Sequence, residues 1–146
     1  MVYRTPTAST EAIRKARDFL FAHATDYDGA IAGFEWPQLE EFNFALDWFD
    51  VIAGEHPDRN AIMIANESGE VNSWTYGDLS GRSDQVANWF VSLGMKRGDS
   101  VIVMLPNTIE LWETILGVIK AGGVVIPTYT LLSPEDIAQR AHRAHA

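Results

Sequence analysis

From residue 100 onward the chain alternates between short β-like and amphipathic runs, and this alternation restricts the fold more than any other feature. Ser100–Leu105 is continuously apolar, the pattern of a strand buried on both faces. Pro106-Asn107 ends it, and Asn107 stands where a cap belongs for a helix whose Ile109, Trp112, Leu116 and Ile119 share one stripe. Ala121-Gly122-Gly123 is a helix stop, and Val124–Pro127 reads as a second strand. Ser133-Pro134-Glu135-Asp136 then opens another helix with a cap residue, a proline at the first helical position and an acid after it. Two successive strand-to-helix units imply parallel strands joined by right-handed crossovers. The fold class is α/β.

Upstream, Ala61–Ala65 and Val71–Tyr76 read as strands joined across Asn66–Glu70, with Ser68-Gly69 in the turn. Thr75 and Asp78 fit a capping box for a helix that uses Leu79, Val86, Phe90 and Leu93 and stops at Gly94. Residues 1–9 read as a frayed start. After Thr10, the positions of Ile13, Ala16, Leu20 and Ala24 predict an amphipathic helix ending near Thr25, with turn chemistry at Asp26–Gly29. Between Asp26 and Asp58 stand nine acids, seven aromatics and no Lys or Arg. Phe42, Ala45, Phe49 and Ile52 keep helical spacing there, which predicts an ordered helix with Glu40, Glu41, Asp47 and Asp50 on solvated faces rather than a disordered segment. The simplest division is a helical, acidic-aromatic annex over residues 1–57 and an α/β unit over 58–146.

Charge and composition remove several functions. Eleven Lys+Arg against 20 Asp+Glu give a net charge of −9, which argues against nucleic acid and against anionic membranes as partners. With no cysteine there is no disulfide, thiol nucleophile or thiolate–metal site. The most apolar window, Ile115–Pro127, is broken by Lys120 and three glycines, well short of the ~20 residues of a membrane span. With no apolar leader after Met1 either, a cytoplasmic location is expected. His142 and His145 read as polar residues at a helix end rather than metal ligands, Asp26 and Asp28 lack calcium-loop spacing, and Lys120 reads as a complement to a helix dipole. No glycine-rich nucleotide loop or serine-hydrolase elbow occurs, so no catalytic residue and no metal ligand is assigned. Ligands of open parallel sheets sit beyond the carboxyl ends of strands, which singles out Pro106–Thr108 and Thr128–Leu132.

Three segments together resemble the adenylate-forming superfamily. Trp74-Thr75-Tyr76-Gly77-Asp78-Leu79 is similar to its (Ser/Thr)-Tyr-x-(Glu/Asp)-Leu motif. Gly98-Asp99-Ser100-Val101 through Leu105-Pro106-Asn107 resembles its Gly-Asp-x-Val…Pro-Asn strand, and Ile119-Lys120-Ala121-Gly122-Gly123 with Val125-Ile126-Pro127 its Lys-Ala-Gly…Pro segment. Phe42-Asn43-Phe44-Ala45 with Asp47 resembles the entry of AMP-forming acyl-CoA synthetases of the medium-chain and acetyl/benzoate branch, and Phe34-x-Trp36-Pro37-x-Leu39 before it resembles bacterial members of that branch. The resemblance implies the first part of the large N-terminal domain, and a parent enzyme that uses ATP, Mg²⁺ and CoA on a small carboxylic acid through an acyl-adenylate. It places the phosphate loop, the adenine and ribose contacts, the hinge and the catalytic lysine beyond Ala146. The 146 residues are therefore expected to form an N-terminal fragment, inactive alone, binding no cofactor tightly and prone to self-association through uncovered apolar surface. By position, Tyr129, Thr130 and Leu131 match a loop close to CoA in acyl-CoA synthetases; the alternative is an ordinary strand-to-helix loop. Other readings are a stand-alone, non-catalytic scaffold that binds a partner, and a family member activating an amino acid or aryl acid.

Overall fold

The computed structural model describes residues 4–146. Helix α1 (Ala8–Ala22) starts three residues before the position expected from the sequence. Thr7 rather than Thr10 is its cap. The Thr7 hydroxyl accepts from the Thr10 N–H at 3.2 Å, and Thr10 returns a bond to the Thr7 N–H at 3.1 Å. The described part of the expected frayed start is thus ordered at Thr7; residues 1–3 lie outside the described residues. Asp26–Gly29 is not a free turn. Asp26 accepts from the Gly29 N–H and begins helix α2 (Tyr27–Gly33), because the side-chain geometry of an aspartate turn also caps a helix. An extended run then leads to a π-helical turn at Phe44–Phe49, continued by α3 (Asp50–Glu55).

The π turn overturns one expectation. Its wider winding, closed by the Asp50 N–H bonding back to the Ala45 carbonyl, rotates the residues after it relative to a 3.6-residue helix. Asp50, placed on a solvated face by α-helical spacing, points inward beside the fully buried Val51 and Ala53.

Strands β1 (Asn60–Ala65) and β2 (Val71–Thr75) form an antiparallel hairpin, as the sequence predicts. Helix α4 (Tyr76–Ser92) follows directly. The capping box is present: the Thr75 hydroxyl accepts from the Asp78 N–H at 3.1 Å, and the Asp78 carboxylate accepts from the Thr75 N–H at 3.1 Å. Leu79 is buried, whereas Leu93, expected on the apolar face, is 65% exposed where the helix has already ended.

Strand β3 (Ser100–Val103), helix α5 (Ile109–Lys120) and strand β4 (Val124–Pro127) make the parallel βαβ unit, with Ser100 opposite Val124 and Val103 opposite Pro127. Helix α5 packs on both strands and, more extensively, on α4. Gly117 permits that contact: a Cβ there would lie 2.6 Å from Val86 Cγ1 and 3.1 Å from the Ser83 carbonyl. The continuous apolar run is not covered on both faces. Val103 is buried but Met104 and Leu105 are exposed, since α5 is the one described element packed substantially on the two strands. Thr108, not Asn107, occupies the cap position of α5; the Asn107 side-chain oxygen instead accepts from the Trp112 indole N–H at 3.3 Å, and that ring stands 39% exposed on the expected buried stripe. Helix α6 (Pro134–Ala144) begins at the predicted Ser133 cap and buries no residue. A core of Ala45, Leu79 and Leu116, flanked by Phe49, Ala61, Ile62, Ile109 and Ile119, joins the N-terminal helices to the hairpin and the βαβ unit.

The Thr75 hydroxyl and N–H hold the Asp78 carboxyl below its ordinary value. A depressed carboxyl contributes stability above its unfolded value, and that contribution is lost as pH falls through the folded one. Thr75→Ala is expected to lower the unfolding free energy by about 1 kcal/mol. Asp78→Asn is expected to flatten the acid limb of the stability profile, read as urea midpoints from neutral pH downward.

Candidate functional site

Two places gather the residues that the sequence marks. The first is the carboxyl end of the parallel pair. The Thr128 N–H bonds to the Val103 carbonyl at 2.9 Å, so the loops leaving β3 and β4 emerge side by side, as the strand-end rule requires. Tyr129, Thr130 and Leu131 lie in the β4–α6 loop and are all exposed, with Leu131 77% accessible. The Leu132 N–H closes on the Tyr129 carbonyl at 3.4 Å, and Met104, Leu105 and Trp112 extend apolar surface from the β3 side. At the start of α5, the Thr108 hydroxyl and the Glu110 N–H hold the Glu110 carboxyl below its ordinary value. This rim offers aromatic and aliphatic contact area and hydroxyls. Its hydroxyl–carboxylate contact, Thr108 with Glu110, closes the first turn of α5.

The second place is the far end of α5, where Lys120 corrects the dipole reading. Its side chain is only 2% exposed, and the ammonium stands 2.7 Å from Asp50 Oδ1 and 2.7 Å from Asp84 Oδ1. A third bond, 3.1 Å, goes to the Ser80 carbonyl, so all three N–H donors are used. The Ser80 hydroxyl donates to Asp50 Oδ1 at 2.8 Å. One turn away, Asn43 caps two helices at once. Its side-chain oxygen accepts from the Ala45 and Leu46 N–H groups, and its side-chain amide donates at 2.6 Å to the Ile119 carbonyl, which the Gly122 N–H also reaches at 3.0 Å. The chain entering the π turn and the chain leaving α5 are therefore fastened together by Asn43, Asp50 and Lys120. Helicity and a Lys before Ala-Gly-Gly are visible in the sequence; the π turn that aims Asp50 at Lys120 is not.

The other motif residues also have structural duties. Tyr76 packs against Phe49 with ring centroids 5.1 Å apart and planes tilted by 39°, and the Gly77 N–H reaches the Pro57 carbonyl at 2.9 Å. Asp99 accepts from the Lys96 N–H at 2.7 Å, while its carbonyl receives the Val124 N–H and starts the parallel pairing. His142 lies in the last turn of α6 and His145 just beyond it. Among the described residues no three His, Cys, Asp or Glu side chains converge as a metal-binding group, so these residues do not fit a Mg²⁺ cage of their own. No helix among them is long and apolar enough to cross a membrane.

This is the α/β fold of the N-terminal domains of adenylate-forming enzymes, with its signature segments used as joints of the scaffold. Residues 49–146 match the family described as AMP-binding enzyme, and the chain belongs to that family. It is 34% identical over 125 residues to the acyl-coenzyme A synthetase ACSM2B of human mitochondria, covering 80% of this chain and 22% of that protein. Identity to the rat mitochondrial acyl-coenzyme A synthetase ACSM2 is 36% over 121 residues, covering 77% and 21%. A crystal structure of an acyl-CoA synthetase from Brucella canis matches with a TM-score of 0.70 and 27% identity, over 98% of this chain and 24% of that one. The chain thus spans about a fifth to a quarter of the length of these relatives.

Removing the Lys120 ammonium would strand Asp50 in a site where burial already raises its carboxyl pKa against the opposing effects of Lys120 and Ser80. Lys120→Met is expected to cost about 3–5 kcal/mol at neutral pH, and Asp50→Asn in the same chain to recover part of it. The sign with pH follows. A carboxyl titrating higher in the folded than in the unfolded state favours folding when protonated, and that stability is lost as pH rises through the folded value. The Lys120→Met deficit therefore shrinks on acidification, measured by urea denaturation of both variants.

Proposed function

We propose that these 146 residues are the N-terminal portion of an AMP-forming acid–CoA ligase, with an annex over residues 1–57 and an incomplete α/β subdomain over 58–146. The single observation that supports this best is the agreement, over 98% of this chain, with the acyl-CoA synthetase of Brucella canis, together with motifs in the family's order. In the full-length enzyme a small carboxylic acid would attack ATP to give an acyl-adenylate and pyrophosphate, and the CoA thiol would then displace AMP. Mg²⁺ supplies charge neutralisation on the nucleotide phosphates in such chemistry.

This chain's contribution is positional. The β4–α6 loop with Tyr129, Thr130 and Leu131 would face CoA, presenting an aromatic ring, a hydroxyl and an aliphatic side chain to its apolar and amide portions. The Asn43–Asp50–Lys120 joint would keep α5, and hence β4, in register beneath that loop. Taken alone the chain binds none of these cofactors tightly, and it acts in the cytoplasm. Exposed Met104, Leu105, Val124 and Leu131, with the free strand edges beside them, would drive self-association of the isolated chain.

Two measurements test this reading. The purified chain is expected to show no acid-dependent ATP–pyrophosphate exchange with acetate, butyrate, octanoate or benzoate, and measurable exchange overturns the inactive-fragment reading. In sedimentation velocity it is expected to form concentration-dependent oligomers, and Leu105→Ser with Leu131→Ser to reduce them; a monomer at all concentrations favours a stand-alone scaffold.

A further inference from the structure

The helical annex is attached to the rest of the chain in two different ways. From Asn43 onward it is built into the core: Ala45, Val51 and Ala53 are fully buried, Asn43 holds the end of α5, and Asp50 is paired with Lys120. Over residues 4–41 the one buried side chain is Thr10, and it is polar. The apolar face of α1, formed by Ile13, Ala16 and Phe19, is only half-buried. Helix α2 buries no residue, and no other element packs substantially on it. The contacts that hold this outer part in place are mainly polar. The Thr10 hydroxyl donates to the Asp47 carbonyl at 2.6 Å, and Arg14 donates to Glu55 at 2.6 Å in a partly exposed pair. The Arg17 guanidinium lies 5.4 Å from the centre of the Trp48 ring. A cleft of about 320 Å³, bordered by Thr7, Ser9, Glu40, Glu41 and Asp47, runs between the base of α1 and the π turn, so packed side chains do not fill this seam.

The outer residues are tied to one another instead. The Ser9 hydroxyl donates to the Glu41 carbonyl at 2.6 Å, which closes the segment on itself at its base. Further out, Phe19 stacks on His23 at 4.1 Å and lies 6.3 Å from Phe34, and Phe34 meets Trp36 edge-on at 5.0 Å. Gly33 passes so near the Phe19 ring that a Cβ there would stand 2.8 Å from its Cζ. Regions with few buried apolar contacts occupy the low end of a protein's stability range and open as cooperative units while the core stays folded. We infer that residues 4–41 form an arm that opens from residues 43–146 as one unit, hinged at Glu40–Phe42 and latched by the Thr10 hydroxyl on the Asp47 carbonyl. Opening uncovers the Trp48 ring and the outer side of the π turn, whose inner side stays fixed by Asn43 and Asp50. The inference is independent of the ligase reading, because it uses neither the strand-end loops nor any cofactor.

The test is hydrogen exchange of the intact chain, measured residue by residue in increasing urea below the unfolding transition. Isolated helices as short as α1 and α2 are marginal in water, so detachment of the arm is read as exchange of its amides. Relative to their intrinsic rates, the hydrogen-bonded amides of α1 and α2 are expected to exchange at least about a hundredfold faster than the slowest amides of α4 and α5. They should share one opening free energy and one urea slope, both smaller than those of global unfolding. Thr10→Val removes the hydroxyl and is expected to speed exchange about tenfold in α1 and α2 alike, leaving α4 and α5 unchanged. Thr10→Ser keeps the hydroxyl and should retain the protection. Thr7→Ala removes the cap but not the latch, and should speed exchange only in the first turn of α1. Arm amides that exchange only with global unfolding, or α1 and α2 opening with different free energies, would overturn the inference. So would a Thr10→Val effect that misses α2 or spreads equally to α4 and α5, or a Thr10→Ser chain as fast as Thr10→Val.

Discussion

The ammonium of Lys120 is the constraint on which the rest of this fold depends. A lysine side chain 2% exposed at the end of a helix carries a desolvation cost of several kcal/mol, and the structure meets it with two carboxylates and a carbonyl. The cluster draws on three elements: Asp50 from the helix after the π turn, Asp84 and Ser80 from α4, and Lys120 itself from α5. Such a cluster adds little net stability compared with a well-packed apolar group of similar volume. It does penalise any arrangement in which one partner is misplaced, because the others would then be buried without compensation. It therefore fixes the docking of the annex more sharply than the small apolar core around Ala45, Leu79 and Leu116 would by shape alone.

Charge balance explains why the cluster tolerates two acids and one base. Asp84 is 46% exposed, so its charge is largely solvated, and the inner pair of Asp50 and Lys120 is close to neutral. The Ser80 hydroxyl completes the Asp50 shell without adding charge. Asn43 plays the corresponding uncharged role nearby, joining a helix start to a helix end with one amide. Thr10, fully buried, extends the same network outward by donating to the Asp47 carbonyl at 2.6 Å, which anchors α1 to the π turn.

Much of this architecture is legible in the sequence because it rests on local rules. Thr75 and Asp78 announce their capping box, Ser133-Pro134 starts α6, and Gly122, at φ 80°, ends α5 in the left-handed conformation that glycine adopts most readily. The failures share a cause, which is dependence on distant contacts. The inward turn of Asp50 depends on one extra residue per turn in a short π segment, and no composition rule marks that insertion. Lys120 reads as a surface lysine because its partners lie 36 and 70 residues away in the chain. Ser100–Leu105 looks doubly buried because its apolar pattern anticipates a layer that no described residue supplies. Of the candidate site, the sequence locates Tyr129–Leu131 at a strand end, since the βαβ alternation dictates which loops share an edge; what meets those side chains is not coded locally.

The two ends of the chain thus expose apolar surface in different ways. At the β3–β4 end the apolar residues belong to a sheet with free edges, and backbone N–H and C=O groups there complement further strands. At the annex end the exposed residues stand on α1, α2 and an extended segment, with no strand edge among them and with charges of both signs nearby, Lys15 as well as Glu35. The first face can therefore be extended by backbone pairing, whereas the second can be covered only by side-chain packing.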